Sequence, residues 1–316
     1  MRIIINNRVK TGWMLAWVCL LAACSTPTVV PPAGPAVATV PGDRAAPEKA
    51  APEPRPVRLG LALGGGAARG FAHVGVIQVL EEAGLQPHYE AGTSAGSLVA
   101  ALYASGKSSQ ELRRVADTME EAEITDWMVP LLNRGALRGE ALARYVNHQV
   151  GGKSIEHMKI PLAIVATDLH RGEAVAFRRG NTGSAVRASS AVPAVFQPVR
   201  IGEREYVDGG LVAPVPVRQV REMGANFVVA VDISSDPEGN PAGVTFQILM
   251  QTFAIMGKSI NTLALREAEF VVRPPLSGVK SADFSARRRS IEAGRSAMLA
   301  MLPQLRSRMA AFERGE

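Results

Sequence analysis

Histidine is scarce and one-sided in this 316-residue chain: the five present stand at 73, 88, 148, 157 and 170, and none follows Asp208. Cysteine is scarcer still. Only Cys19 and Cys24 occur, both near the start, so the body of the chain can form neither a disulfide framework nor a thiolate metal site. Aromatic residues make up 5% and are not interleaved with a basic cluster, so nucleic-acid binding has no support. The His and acidic residues show no metal-ligand spacing, and neither a metal nor a cofactor is expected.

At the N-terminal end, Arg2, Arg8 and Lys10 precede an apolar core from Trp13 to Ala23, which is shorter than the roughly 20 residues that cross a bilayer. Leu21-Ala22-Ala23-Cys24 resembles a bacterial lipobox. Residues 1–23 are therefore expected to be a lipoprotein signal peptide, with Cys24 acylated after cleavage; several acyl chains anchor firmly where one does not. Ser25, rather than an aspartate, follows Cys24. The expected location is the periplasmic face of the outer membrane. Cleavage removes three basic and no acidic residues, so the formal charge of +6 falls to +3, a weak argument for any polyanionic partner. Residues 24–56 contain nine of the 21 prolines and read as a semi-rigid tether reaching at most roughly 100 Å. The remainder, 57–316, is long enough for one α/β domain with a sizeable core.

Within 57–316, near-continuous apolar runs alternate with helical patterns. Strands are expected at Leu59–Leu63, Tyr89–Thr93, Leu162–Thr167, Ala174–Phe177, Glu205–Val207, Phe227–Val231 and Phe270–Val272. Helices are expected at 71–83, 95–105 and near 109–121, 139–149, 183–191, 216–223, 245–266 and 287–313. This order predicts a mainly parallel sheet covered on both faces, a three-layer α/β/α architecture. The last helix carries apolar residues at Ile291, Met298, Leu302, Leu305, Met309 and Phe312 among seven arginines. Packing of that stripe on the domain is expected, with a lipid-surface role as the rival reading.

Two glycine-rich turns fall at strand ends, where ligands collect in such sheets. Gly92-Thr93-Ser94-Ala95-Gly96 lies between a predicted strand and a predicted helix, the setting in which a sharp turn exposes a serine hydroxyl. Gly64-Gly65-Gly66-Ala67-Ala68-Arg69-Gly70 supplies bare backbone N–H groups, as an oxyanion hole requires. It fits a dinucleotide fingerprint poorly, because Arg69 stands where the third glycine belongs. A serine hydrolase ordered serine, acid, histidine would need a histidine downstream. None exists, so a carboxylate is the expected base, and Asp168, Asp208 and Asp232 are the candidates. Taken alone, Asp208-Gly209-Gly210 reads first as a hairpin turn.

The glycine loop, the Gly-Thr-Ser-Ala-Gly turn about 25 residues on, Ala188-Ser189-x-x-x-Pro193-x-x-Phe196 and Asp208-Gly209-Gly210, in that order, resemble the patatin-like phospholipase family over roughly 58–233. The resemblance implies a patatin-like fold and a Ser-Asp dyad, with Ser94 as nucleophile in an elbow of Gly92, Thr93, Ala95 and Gly96. It implies Asp208 as base, carried by Gly209 and Gly210, and an oxyanion hole from Gly64, Gly65, Gly66, Ala67, Arg69 and Gly70. The expected activity is a lipid acyl hydrolase or esterase working through an acyl-enzyme on membrane phospholipid. The alternatives are a lipid transacylase, which differs only in the acceptor, and a catalytically silent lipid-binding or scaffold lipoprotein. An ordinary aspartate, with pKa about 3.9, is a weak base for a serine, so close positioning and restricted water have to compensate.

Overall fold

The computed structural model describes residues 55–126, 134–238, 242–280 and 283–316. The expected signal peptide (1–23), Cys24 and the tether up to residue 54 lie outside the described residues. From Leu59 the chain runs β1 (Leu59–Leu63), α1 (Phe71–Glu82), β2 (Tyr89–Thr93), α2 (Ala95–Ala104), α3 (Ser109–Thr118), α4 (Glu121–Ile124), β3 (Gly135–Leu137) and α5 (Glu140–Gln149). It continues with β4 (Leu162–Asp168), β5 (Ala174–Phe177), α6 (Thr182–Ser189), β6 (Ala194–Phe196), β7 (Val199–Ile201), β8 (Arg204–Asp208), α7 (Val217–Glu222), β9 (Phe227–Val231), α8 (Thr245–Ala264), β10 (Phe270–Val272) and α9 (Arg287–Glu313).

The sheet follows the order β10-β9-β1-β2-β4-β8-β7, with β5 also on β4. β10, β9, β1, β2 and β4 are parallel neighbours joined by helical crossovers. β5 and β8 each run antiparallel to β4, and β7 antiparallel to β8; the links between β4 and β5 and between β7 and β8 are tight turns. Such turns reverse a strand but cannot carry it across the sheet. The expected mainly parallel sheet holds at its centre, and the antiparallel rim carries Asp208.

Alternation along the strands sorts the core into two faces. Leu59, Leu61 and Leu63 of β1 and Phe227, Val229 and Val231 of β9 pack toward α1, α2 and α9. Ala62, Val228 and Ala230 face the other way, against Val217 and Val220 of α7. The result is the three-layer α/β/α arrangement. α9 uses Ile291, Met298 and Leu305 to close the larger layer and crosses α1 very closely. A Cβ at Gly75 would collide with Ile291 O, and one at Gly294 with Ala72 O, so both helices need glycine at the crossing. The apolar stripe of α9 is thus spent on packing rather than on a lipid surface.

Candidate active site

β2 ends at Thr93, and Ser94 is the N-cap of α2 at φ 53°, ψ −125°, a left-handed position rare for a residue with a side chain. The flanking glycines make this turn fit. A Cβ at Gly92 would stand 2.5 Å from Gly96 O, and one at Gly96 would collide with Leu63 O. The strained backbone is held from outside: the Ser94 N–H donates to Ser189 Oγ at 2.8 Å, and Ser189 donates to Val165 O at 2.5 Å. The consequence is a serine presented at the start of a helix, with the positive end of the helix dipole beside it.

β4 sets the distance to the acid. Thr93 pairs with Val165 and Asp208 pairs with Ala166, one register step further along. β5 pairs with residues 164–167 of β4 and overlaps both partners, so β2 and β8 share the opposite edge. Ser94 and Asp208 therefore adjoin. Asp208 is fixed at every polar group but one. Its N–H donates to Ala191 O (2.9 Å), its carbonyl accepts from Thr167 Oγ1 (2.8 Å) and Oδ1 accepts from Gly210 N–H (2.6 Å). Oδ2 is buried without an aligned partner among the described residues. Burial pushes the Asp208 carboxyl up to about 6, against the Gly210 N–H and the neighbouring Ser94 hydroxyl, which favour the charged form. Asp208-Gly209-Gly210 is not the hairpin turn that its composition suggests: it leaves β8 into a short 3-10 turn, Gly209–Leu211, capped by Asp208. A Cβ at Gly209 would meet Val165 O, which explains the glycine after the acid.

The glycine loop runs alongside, close enough that a Cβ at Gly65 would sit 3.2 Å from Ser94 Cβ. Its expected donors need correction. Gly64 N–H donates to Val231 O (3.0 Å) and Gly65 N–H to Pro214 O (2.9 Å), so both are consumed in tying the loop to β9 and to the segment before α7. Arg69 N–H likewise donates to Gly66 O (3.2 Å). The N–H groups of Gly66 and Ala67 have no acceptor among the described residues, and Ala67 takes φ 50°. The Ala95 N–H, first in α2, is also without one, as befits a helix N-terminus. Gly70 packs against Ala95, where a Cβ would lie 2.7 Å from Ala95 Cβ, and so joins loop to elbow.

The other candidate groups sit in different surroundings. His73 is fully buried, with Nε2 2.8 Å from Gly64 O; burial pulls its pKa down to about 4, leaving it neutral. Arg69 is buried beside the loop, where desolvation lowers its pKa and the charge of Asp232 opposes that shift. Asp168 Oδ1 caps the His170 and Arg171 N–H groups at 3.0 Å each. Asp232 accepts from Ser234 N–H at 3.0 Å and from Arg273 Nε at 3.2 Å. Asp208 is thus the one candidate base that adjoins Ser94. Among the described residues no three His, Cys, Asp or Glu side chains are placed to hold a metal ion.

Ser94 and Asp208 open onto a cavity of about 660 Å³, walled by the glycine loop, by Leu98 and Leu102 of α2, and by Phe246, Met250 and Phe253 of α8. The lining is chiefly apolar, with few polar groups converging at the serine, the pattern of a site for an apolar ligand. Two contributors were not legible as such: Ser189, known only as a motif letter, and α8, whose composition gave a helix but no hint that it lines the site.

A family model described as patatin-like phospholipase matches residues 61–221. An uncharacterized NTE family protein of Mycobacterium tuberculosis is 37% identical over 183 residues, 58% of this chain and 51% of the relative. The patatin-like phospholipase domain-containing protein 6 of Mus musculus is 32% identical over 187 residues, 57% of this chain and 14% of the relative. The chain spans about half the length of the mycobacterial relative. Among solved structures, VipD from Legionella pneumophila has the same fold, with a TM-score of 0.55 at 15% identity over 79% of this chain and 68% of that one.

Proposed function

We propose that this chain, which belongs to the patatin-like phospholipase family, hydrolyses acyl esters of membrane lipids with Ser94 as nucleophile and Asp208 as its only base. The observation that carries this reading is the meeting of the two side chains on one wall of an apolar cavity, where the Ser94 hydroxyl adjoins a buried Asp208 carboxylate whose Oδ2 has no other aligned partner among the described residues. Oδ2 takes the hydroxyl proton as Ser94 Oγ attacks the carbonyl carbon. The Gly66, Ala67 and Ala95 N–H groups receive the oxyanion. The proton on Asp208 passes to the leaving alcohol, and the acyl-enzyme remains. Water then gives its proton to Asp208 and its oxygen to the acyl carbon, and that proton returns to Ser94 as the acid is released. A carboxyl raised to about 6 is a better base than an ordinary aspartate and is still ionised at neutral pH.

Lipid acylation at Cys24 and residence at the periplasmic face of the outer membrane belong to the same proposal, supported by the lipobox-like Leu21-Ala22-Ala23-Cys24 and the proline-rich stretch after it. Mass spectrometry of the mature chain tests the anchor. For the activity, p-nitrophenyl esters and phospholipids are offered to wild type, Ser94→Ala and Asp208→Ala. Both variants should lose at least about 10³ in rate, and fluorophosphonate labelling should disappear with Ser94. Equal rates for all three proteins would overturn the reading. A wild type that neither takes the label nor turns over substrate would favour a binding lipoprotein, and acyl products on a lipid acceptor a transacylase.

A further inference from the structure

We infer that α8 is a lipid-docking helix that lies in the plane of a phospholipid surface and delivers chains to the cavity behind it. This rests on the lipid-hydrolase reading above. α8 is 11% buried over its apolar window, although it is long and apolar enough to cross a membrane. A core helix would be covered; this one is not. Ile248, Ile255, Met256 and Leu263 are 53%, 52%, 48% and 65% exposed. With Thr252 and Ser259 they occupy an arc of about 100° along the helix. The opposite arc supplies Phe246, Met250 and Phe253 to the cavity that holds Ser94. One helix therefore joins the outer surface to the site.

The polar chemistry of the exposed arc argues for lipid over a protein partner. Thr252 donates to Ile248 O (2.9 Å), Ser259 to Ile255 O (3.2 Å) and the adjacent Thr262 to Lys258 O (2.8 Å). From Ile248 to Leu263 each hydroxyl donor is satisfied within the helix, so this stretch can enter hydrocarbon without stranding a hydroxyl, and Thr245 stands at the helix start. A protein recognising this face from Ile248 to Leu263 would find no charge and no unpaired hydroxyl donor to read. Lys258, the sole charge of α8, lies off the arc and pairs with Asp236 at 3.1 Å.

Topology fixes the orientation. α8 is the crossover between β9 and β10, which are parallel neighbours, so both of its ends are tied to one edge of the sheet. Its C-terminal turn is further held by Asn261, which donates to Ser234 Oγ at 2.7 Å. A spanning position would require pulling these strands apart. Lying flat in the interface, with the apolar arc at the depth of the acyl boundary, keeps the sheet intact.

The test uses the full chain. Ile248→Asp/Ile255→Asp is compared with wild type on monomeric p-nitrophenyl butyrate and on phosphatidylethanolamine–phosphatidylglycerol vesicles. Neither residue lines the cavity. The expected result is an unchanged rate on the soluble ester and a loss of about tenfold or more on vesicles. Equal vesicle rates would overturn the inference and leave the hydrolase reading standing. In parallel, Ile255→Trp should show a blue shift and quenching by brominated-chain lipids beyond the wild-type signal. This readout needs no turnover, so it decides the matter if the double variant is inactive or if the hydrolase reading fails. Fluorescence of the Ile255→Trp protein that is indifferent to vesicles, or that shifts instead with formation of a concentration-dependent dimer, would contradict lipid docking.

Discussion

The Ser94 amide and the Ser189 hydroxyl meet at 2.8 Å, and Ser189 hands the bond on to Val165 O. A left-handed serine turn is thereby fastened to β4, the strand with which Asp208 of β8 also pairs, one register step away. The same contact uses up the Ser94 N–H, so this amide supplies no oxyanion donor. Ser189 acts through Ser94 and is a positioning residue.

Ser189→Ala should leave the Ser94 amide unpaired and the turn loose. A misplacement near 1 Å costs on the order of 10² in rate. We expect kcat to fall about 10- to 100-fold with KM little changed, and Ser189→Thr to recover much of the loss. Steady-state kinetics on a soluble ester measures both; a loss confined to KM would contradict the assignment.

Asp208 also affects stability. Its pKa is about 6 in the fold against 3.8 in the unfolded chain. Well below pH 3.8 the group is neutral in both states and costs nothing. As pH rises from 3.8 through 6 the unfolded chain ionises freely while the fold either keeps the proton or buries the charge, so stability falls across that window and stays reduced above it. Asp208→Asn should therefore be more stable than wild type at pH 8 by up to about 3 kcal/mol, at 1.36 kcal/mol per pKa unit, and inactive. The two proteins should converge as pH falls to about 3, below the unfolded pKa. Denaturant melts at both pH values check the sign.

How far the sequence disclosed this arrangement depends on the range of each interaction. The central strands and all the long helices follow from local apolar patterns; β1, β2 and α1 are short-range in origin and fall where expected. β3, β6 and β7 are three residues each and carry no periodicity to read. The absence of a late histidine pointed to a carboxylate base, but choosing Asp208 over Asp168 and Asp232 rested on family resemblance. Their surroundings separate them only in three dimensions: Arg204 and two turn amides occupy Asp168, and Arg273 occupies Asp232. Which loop amides are already bonded was hidden for the same reason, since nothing local in Gly64-Gly65-Gly66 reveals that Val231 O and Pro214 O take the first two.

Gly66→Ala tests the corrected donor set. A Cβ there would stand 2.8 Å from Ile233 Cδ1 and 2.9 Å from Ile233 O, forcing the free Gly66 and Ala67 amides to shift. Loss of one oxyanion donor typically costs about 10² to 10³ in kcat, and a fall of that order is expected while fluorophosphonate binding persists at a reduced rate. Wild-type kcat in a folded Gly66→Ala protein would place the oxyanion elsewhere.

The most direct test of a carboxylate acting alone on Ser94 is the pH dependence of kcat/KM on a soluble ester, measured for wild type and Asp208→Asn. Wild type should lose activity on the acid side with a single limb near pH 6, the ionisation of Asp208 in the free enzyme, and Asp208→Asn should fall by at least about 10³ throughout. An Asp208→Asn protein that keeps wild-type activity together with the same limb would show that another group takes the proton.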